Sequence, residues 1–317
     1  MSETAAQAVR PEAITAVPVR HPLRWLGAVL VLAIFAGIVY KFVTAPRLRW
    51  DVVAYWFFQH SVLQALVLTI VLTVIAMAIG VVLGTVLAVM RLSPNPVLSS
   101  VSWFYIFFFR GTPVLVQLWF WWNLQLILPT LAIGIPGTPL IWSADTVKLI
   151  TPLVAAILGL GLNEAAYMAE IVRAGVISID QGQTEAAQAL GMRRVQIMRR
   201  IILPQAMRVV IPPTGNESIS MLKTSSLASI VTLTELFRVS QAISAYNYRV
   251  EELLIVVSIW YLLCTSVMTV GQYYLERYYA RGSVRQLPET PVQRIRRLLF
   301  TTHQTPPILA ETGAAPL

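Results

Sequence analysis

Apolar residues in this chain come in long runs separated by short polar breaks, and most of the runs are long enough to cross a bilayer. Leu23 to Val43 is mostly apolar and would span roughly 30 Å of hydrocarbon as a helix. A cleaved signal peptide would have a shorter apolar region with a small-residue site close behind it, so an uncleaved extra helix is the better reading. The second run, Leu63 to Met90, follows a polar linker containing Arg47, Arg49 and Asp51. Gly80 and Gly84 lie in it at GxxxG spacing, which opens one helix face to a closely approaching neighbour. Ser93 to Pro96 should stop that helix, because proline lacks the amide donor and restrains the residue before it.

The next part of the chain is more irregular. Val97 to Phe109 is aromatic-rich and ends at Arg110-Gly111-Thr112-Pro113. This reads as an interfacial elbow, with Trp103 and Tyr105 at headgroup level, leading into a span from about Val114 to Leu128. The stretch Pro129 to Lys148, rich in Pro and Gly, ends that crossing. A further span, about Ile150 to Gly175, carries Asn163, Glu164, Glu170 and Arg173. Charges near a bilayer centre cost about 2.5–3.5 kcal/mol each on insertion scales, so they face protein or water. Asn163, Tyr167 and Glu170 fall on one helical face, and line either a translocation path or an interhelical clamp in which Glu170 pairs with Arg173.

After a basic polar interruption comes a poorly apolar span, about Met207 to Leu222, containing Pro212, Pro213, Gly215, Asn216 and Glu217. A helix broken there would leave backbone groups unpaired, tolerated only inside protein or beside a water-filled cavity, and transporters place substrate sites at such breaks. Glu164, Asn216 and Glu217 are therefore the substrate-path candidates, although Asn216 and Glu217 could equally serve only the backbone freed by the prolines. Leu227 to Tyr248 reads as short, partly embedded helices, and Glu252 to about Tyr274 as the last span.

Composition agrees with this pattern. The chain has 317 residues, 56% hydrophobic and 12% charged, against roughly 25% charged in soluble domains. A net charge of +9 could suggest nucleic acid, but the arginines sit in loops flanking the spans, as the positive-inside rule requires. The interruption holds Arg193, Arg194, Arg199 and Arg200, and the tail holds six more from Arg277 to Arg297. Both are placed in the cytoplasm, which gives six crossings with both termini cytoplasmic. Residues 1–22 are expected to be a disordered tail and 279–317 a basic one. One cysteine, Cys264, forbids an intrachain disulfide. His21, His60 and His303 are too scattered for a metal or catalytic cluster.

The interruption, about residues 178–206, has a pattern of its own: Glu185-Ala186-Ala187, three residues, Gly191, nine residues, Ile201, one residue, Leu203-Pro204. Physically this is a short helix bearing small residues, a glycine turn, and a second helix closing at proline. At these residues the sequence resembles the permease subunits of bacterial ABC importers, whose EAA loop has this spacing. It is more narrowly similar to the polar amino acid uptake branch, through Arg110 to Gln117, Asn163 to Arg173, Pro212-Pro213, Gly215-Asn216-Glu217 and Leu222 to Leu227.

The resemblance implies an all-α polytopic fold, a five-helix type I permease core over residues 60–278, plus the extra N-terminal transmembrane helix at 23–43. It implies a bacterial inner-membrane protein paired with an identical or related permease, an ATP-binding cassette ATPase dimer and an extracytoplasmic solute-binding protein. Glu185, Ala186, Ala187 and Gly191 would then couple to the ATPase. The chain departs from the usual pattern in its first helix, in a longer external stretch from Pro129 to Lys148, and at Ser225. No lysine follows a glycine here, so a phosphate-cradling P-loop is missing; ATP and Mg would be held by the partner, and no enzyme activity or cofactor is expected of this chain. An ion-coupled secondary transporter or channel, with Glu164 and Glu170 as ion sites, is the competing reading.

Overall fold

The computed structural model describes residues 22–133 and 141–279. The tails expected at 1–22 and 279–317 lie, apart from their innermost residues, outside the described residues, as does the tip of the external stretch. Helix α1, Pro22–Val43, belongs to a unit that ends at Trp50. It is apolar all round, its described side chains from Leu26 onward are exposed, and the Trp50 Nε1 donates to the Val43 carbonyl at 2.8 Å just past its end.

The second unit runs from Asp51. It begins in α2, Trp50–Phe57, and α3, His60–Arg91. Helix α4, Pro96–Gly111, starts where the sequence stops α3: Asn95 accepts from the Val97 amide and Pro96 occupies the first turn, where a missing N–H costs nothing. Helix α5, Val114–Trp122, leaves α4 at a bend of 99° across Thr112 and Pro113. Its nine residues reach only about 13 Å, so the expected span to Leu128 is not one helix: α6, Leu124–Ile127, follows separately. The external stretch also departs from expectation. It forms an antiparallel hairpin of β1, Thr130–Ile133, and β2, Trp142–Asp145, with Thr130 opposite Asp145 and Ile133 opposite Trp142. Thr146, on the short α7, Thr146–Leu149, closes its base through bonds to the Leu128 and Pro129 carbonyls.

The centre of the unit is α8, Pro152–Ile177, packed along α3. In lipid, helices associate by van der Waals contact and hydrogen bonding rather than by hydrophobic exclusion, so close approach decides the pairing. The two glycines of α3 provide it. A methyl group on Gly84 would sit 2.6 Å from Met168 Cβ and 2.8 Å from the Ala165 carbonyl oxygen, and one on Gly80 would sit 2.4 Å from Glu164 Cγ. Leu72, Ala76, Leu118, Ala156, Leu160 and Met168 form the core around this contact.

The chain continues through α9, Gln181–Ala189, and α10, Arg194–Ile197, into a π-helical turn, Met198–Ile202, and α11, Leu203–Thr224. Pro212 and Pro213 lie inside α11 without breaking it, so the broken span expected there is a continuous helix. Side chains add bonds on the same stretch: Thr214 Oγ1 donates to the Val210 carbonyl at 2.8 Å, and Gln272 Nε2 to that of Pro212 at 3.2 Å, which ties α11 at the prolines to the last long helix. A 3-10 turn, Ser225–Val231, leads to α12, Leu236–Asn247, and α13, Val250–Tyr279. Fully buried Glu235 caps α12, accepting from the Phe237 and Arg238 amides at 2.9 and 2.7 Å and from the Tyr261 hydroxyl at 3.3 Å.

Among the described residues, four helices (α1, α3, α8 and α13) are long and apolar enough to cross a membrane, and the bent α4–α5 pair makes a fifth. The sixth crossing expected from the sequence corresponds to α11, which has the length but too many polar residues to pass on composition. The steric limits at α3 give a direct test. Gly84→Ala should destabilise by about 1–3 kcal/mol through overpacking against backbone atoms, and Gly84→Leu should abolish folded protein. Gly27→Leu on α1, with nothing within 4 Å, should leave the melting temperature in detergent unchanged.

Candidate functional site

Two features of the second unit stand out, a polar cavity within the spans and the loop around α9. The cavity depends first on α8. Because Gly80 has no side chain, the Glu164 methylene lies against α3; the residue is 3% exposed, and its Oε1 has no hydrogen-bond partner among the described residues. A buried acceptor left this way is costly unless something else supplies a donor. One residue earlier, Asn163 Nδ2 donates to the Phe109 carbonyl at 2.9 Å, and the Tyr105 hydroxyl donates to the Leu162 carbonyl at 2.9 Å. These two bonds tie α4 to α8.

The bend after α4 brings in a cation. Arg110 places its guanidinium carbon 5.1 Å from the centre of the Tyr167 ring, within the range of attraction between a cation and an aromatic face. From α11, Glu217 completes the wall. Arg110, Asn163, Glu164, Tyr167 and Glu217, with Thr112, Ser220 and Thr224, line a cavity of about 480 Å³, a size typical of small-molecule sites. Glu164 and Glu217 are near enough to repel one another, and Arg110 near enough to Glu217 to attract it.

Of the residues singled out in the sequence, Glu164 and Glu217 come together here with Asn163. Asn216 does not line the cavity; its Oδ1 faces Gln272 Nε2 of α13 at 3.0 Å. Glu170 is engaged with Arg173, whose Nε reaches both carboxylate oxygens at 3.2 and 3.1 Å and whose Nη2 lies 2.7 Å from Oε2. That bidentate pair is the clamp arrangement, not a free lining group. Sequence reasoning missed Arg110 as a site residue, having read it as part of a turn. The signal was available: a lone arginine directly before Gly-Thr-Pro, between two apolar segments, has its backbone fixed and its charge at depth.

The loop is built by local rules. Asp180 caps α9 by accepting from the Gly182 amide at 2.7 Å. At the other end Gly191 adopts φ 76°, its amide bonds to the Gln188 carbonyl at 2.8 Å, and the Met192 amide bonds to that of Ala187 at 3.1 Å. This is a Schellman ending, which needs a left-handed residue and therefore favours glycine. Glu185 and Ala186 are exposed, whereas Ala187 is 2% exposed on a helix that packs against α10 and the π-helical turn. Ala187 thus uses its small size within the chain. The most exposed large apolar groups of the loop, among the described residues, are Leu190 and Val195, 82% and 77% exposed.

A profile of the family described as "Binding-protein-dependent transport system inner membrane component" matches residues 80–281. The chain belongs to this family. It is therefore the multi-pass membrane component of an ABC importer, a transport subunit and not an enzyme, that works with a separate ATPase and a solute-binding protein. Among its relatives, the arginine transport system permease protein ArgU of Corynebacterium glutamicum is 44% identical over 284 residues, 89% of this chain and 88% of that one. The probable amino-acid permease protein YxeN of Bacillus subtilis is 38% identical over 218 residues, 68% and 90% of the two chains. A solved structure described as an amino acid ABC transporter with histidines superposes with a TM-score of 0.59 at 33% identity, covering 69% of this permease and 94% of its own chain.

The Schellman turn of the permease is the most sharply defined local feature of the loop. Gly191→Val should cost about 1–2 kcal/mol in a left-handed position, which is about a 5- to 30-fold increase in opening. Hydrogen exchange of the amides at 188–192 should rise by that factor, while exchange along α3 and α8 stays at the wild-type rate.

Proposed function

We propose that this permease translocates amino acids with a cationic side chain, and that the cavity between α4, α8 and α11 is where the substrate passes. The observation that carries the reading is the unpartnered, buried Glu164 carboxylate, opposite a guanidinium held on Tyr167. In the charged state two carboxylates face one arginine, a net charge of one minus. An amino acid with a cationic side chain carries a carboxylate and two cationic groups, so it neutralises the cavity completely: Arg110 takes the substrate carboxylate, and Glu164 and Glu217 take its cationic groups. The similarity to a protein named for arginine transport points the same way.

A second permease subunit fits the remaining polar surface. Asn216, Ser220 and Lys223 are exposed on α11 at i, i+4 and i+7, a polar stripe along one face of the helix. Such a stripe is not left against lipid, and an identical or related permease would cover it and close the path. The arginines of the 193–200 segment support a cytoplasmic side for that loop and, with six crossings, for both termini. ATP and Mg belong to the ATPase pair, whose closure moves α9 and rocks the bundle between outward- and inward-open states.

Glu164→Gln should weaken binding of radiolabelled L-arginine to the permease–ATPase complex by about tenfold, since a charge-assisted bond becomes a neutral one. Equal binding of arginine and glutamine by the wild-type complex would overturn the cationic reading. Coupling has its own test. Because Ala186 is exposed and Ala187 is not, Ala186→Trp should abolish substrate-stimulated ATP hydrolysis and uptake in proteoliposomes while the protein still inserts and melts normally. Unchanged uptake in that variant would remove the coupling role from α9.

A further inference from the structure

The bend between α4 and α5 creates a hydrogen-bonding problem that the sequence makes explicit. In a continuing helix the Phe109 carbonyl would accept from the amide of residue 113, but that residue is proline and has no N–H. The Thr112 carbonyl is likewise turned out of the helix ladder. At membrane depth such groups must find partners within the protein. One side chain from the other arm of the elbow answers both: Gln117 Nε2 lies 2.9 Å from the Phe109 carbonyl, 3.1 Å from the Thr112 carbonyl and 2.8 Å from Thr112 Oγ1. Thr112 Oγ1 in turn donates to the Phe108 carbonyl at 2.9 Å. Gln117 is 5% exposed and its Oε1 has no partner among the described residues. With three acceptors around the other end, only the amide nitrogen fits there, so the side chain is held for its donors.

We infer that Gln117 is a positioning residue for Arg110: by fastening the last turn of α4 to the first turns of α5, it sets the direction in which the Arg110 guanidinium enters the cavity. Arg110 directly follows the carbonyl that Gln117 and Asn163 share, so any fraying of that turn moves it off Tyr167. Gln117 itself does not line the cavity, and acts on the substrate only through Arg110. The inference rests on the reading of the cavity as the substrate site, with Arg110 taking the carboxylate.

The test uses the permease–ATPase complex in nanodiscs and two radiolabelled probes, L-arginine and agmatine, which is arginine without its carboxylate. Gln117→Leu and Gln117→Glu keep the bulk but remove the donors, and both should weaken arginine binding by about tenfold, the worth of one or two buried hydrogen bonds. Agmatine binding should change by less than about twofold in both, which also shows that the variants are folded. Arg110→Gln should likewise weaken arginine binding but not agmatine binding, which the loss of a cation from the cavity favours, and the double variant Arg110→Gln with Gln117→Leu should bind arginine no more weakly than Arg110→Gln alone, because a residue that acts through another adds nothing once that one is gone. Wild-type arginine affinity in Gln117→Leu, equal loss of arginine and agmatine, or an additive double variant would each overturn the inference. A wild-type complex that binds neither probe would overturn the substrate reading itself, a result distinct from those three.

Discussion

The contact between α3 and α8 is the constraint on which the site depends. Gly80 and Gly84 let two helix backbones come within a distance that no side chain would permit, and in lipid that closeness is itself the source of the association. The same contact determines where the chemistry lies. With a methyl group at 80 there would be no room for the Glu164 methylene, and the carboxyl group would be displaced from its place beside the cavity. Packing and function are thus set at one point, and the unpaired Glu164 Oε1 is held by a pairing too tight to relax around it.

The second wall of the cavity is made by an interruption. A straight α4 would carry Arg110 along one axis past α8; the 99° bend instead ends the helix there and turns the chain away. Proline at 113 makes the bend possible by removing a donor, and Gln117 and Asn163 make it stable by returning donors to the orphaned carbonyls. Glu235 shows the same economy elsewhere: a fully buried carboxylate is tolerated because two α12 amides and the Tyr261 hydroxyl surround it. In each case a buried polar group is explained by particular donors, which is why Glu164, having none on Oε1, points to a ligand.

The sequence was most legible where local rules suffice. The EAA spacing marked a short helix, a glycine turn and a second helix; the first two stand at α9 and Gly191, whereas the second, from Arg194, does not close at Pro204 but runs on through the π-helical turn into α11. The apolar runs marked α1, α3, α8 and α13 nearly to their ends. What could not be read was set by partners distant in sequence. The Gly80 and Gly84 pair said that something packs closely but not that it is α8. Pro212 and Pro213 promised a break that does not occur: α11 runs through them, held to α13 there by Gln272. The four-residue strands between Pro129 and Lys148 are too short for alternation to show, and the role of Arg110 requires knowing that Tyr167 lies beneath it.

The unbroken state of α11 bears on how a movement at the loop would reach the cavity. From Arg194 through the π-helical turn to Thr224 the backbone is one helical run, and Met198 and Glu217 are separated along it by about 28 Å of axial rise. A helix broken at Pro212 would absorb a displacement of its cytoplasmic end by bending. A continuous one, braced to α13 by Gln272, passes it on. The point of compliance lies instead at the π-helical turn, where the wider hydrogen-bond pattern is easily shifted and where such turns concentrate at functional sites. On the proposed coupling, displacement of α9 would tilt α11 as a rod and move Glu217 relative to Glu164, which lies against the α3 glycine Gly80. Under the proposed substrate reading, such a movement would separate and re-form the Glu164–Glu217 pair, and substrate affinity would be coupled to the ATPase through the rigidity of a helix whose sequence suggested a break.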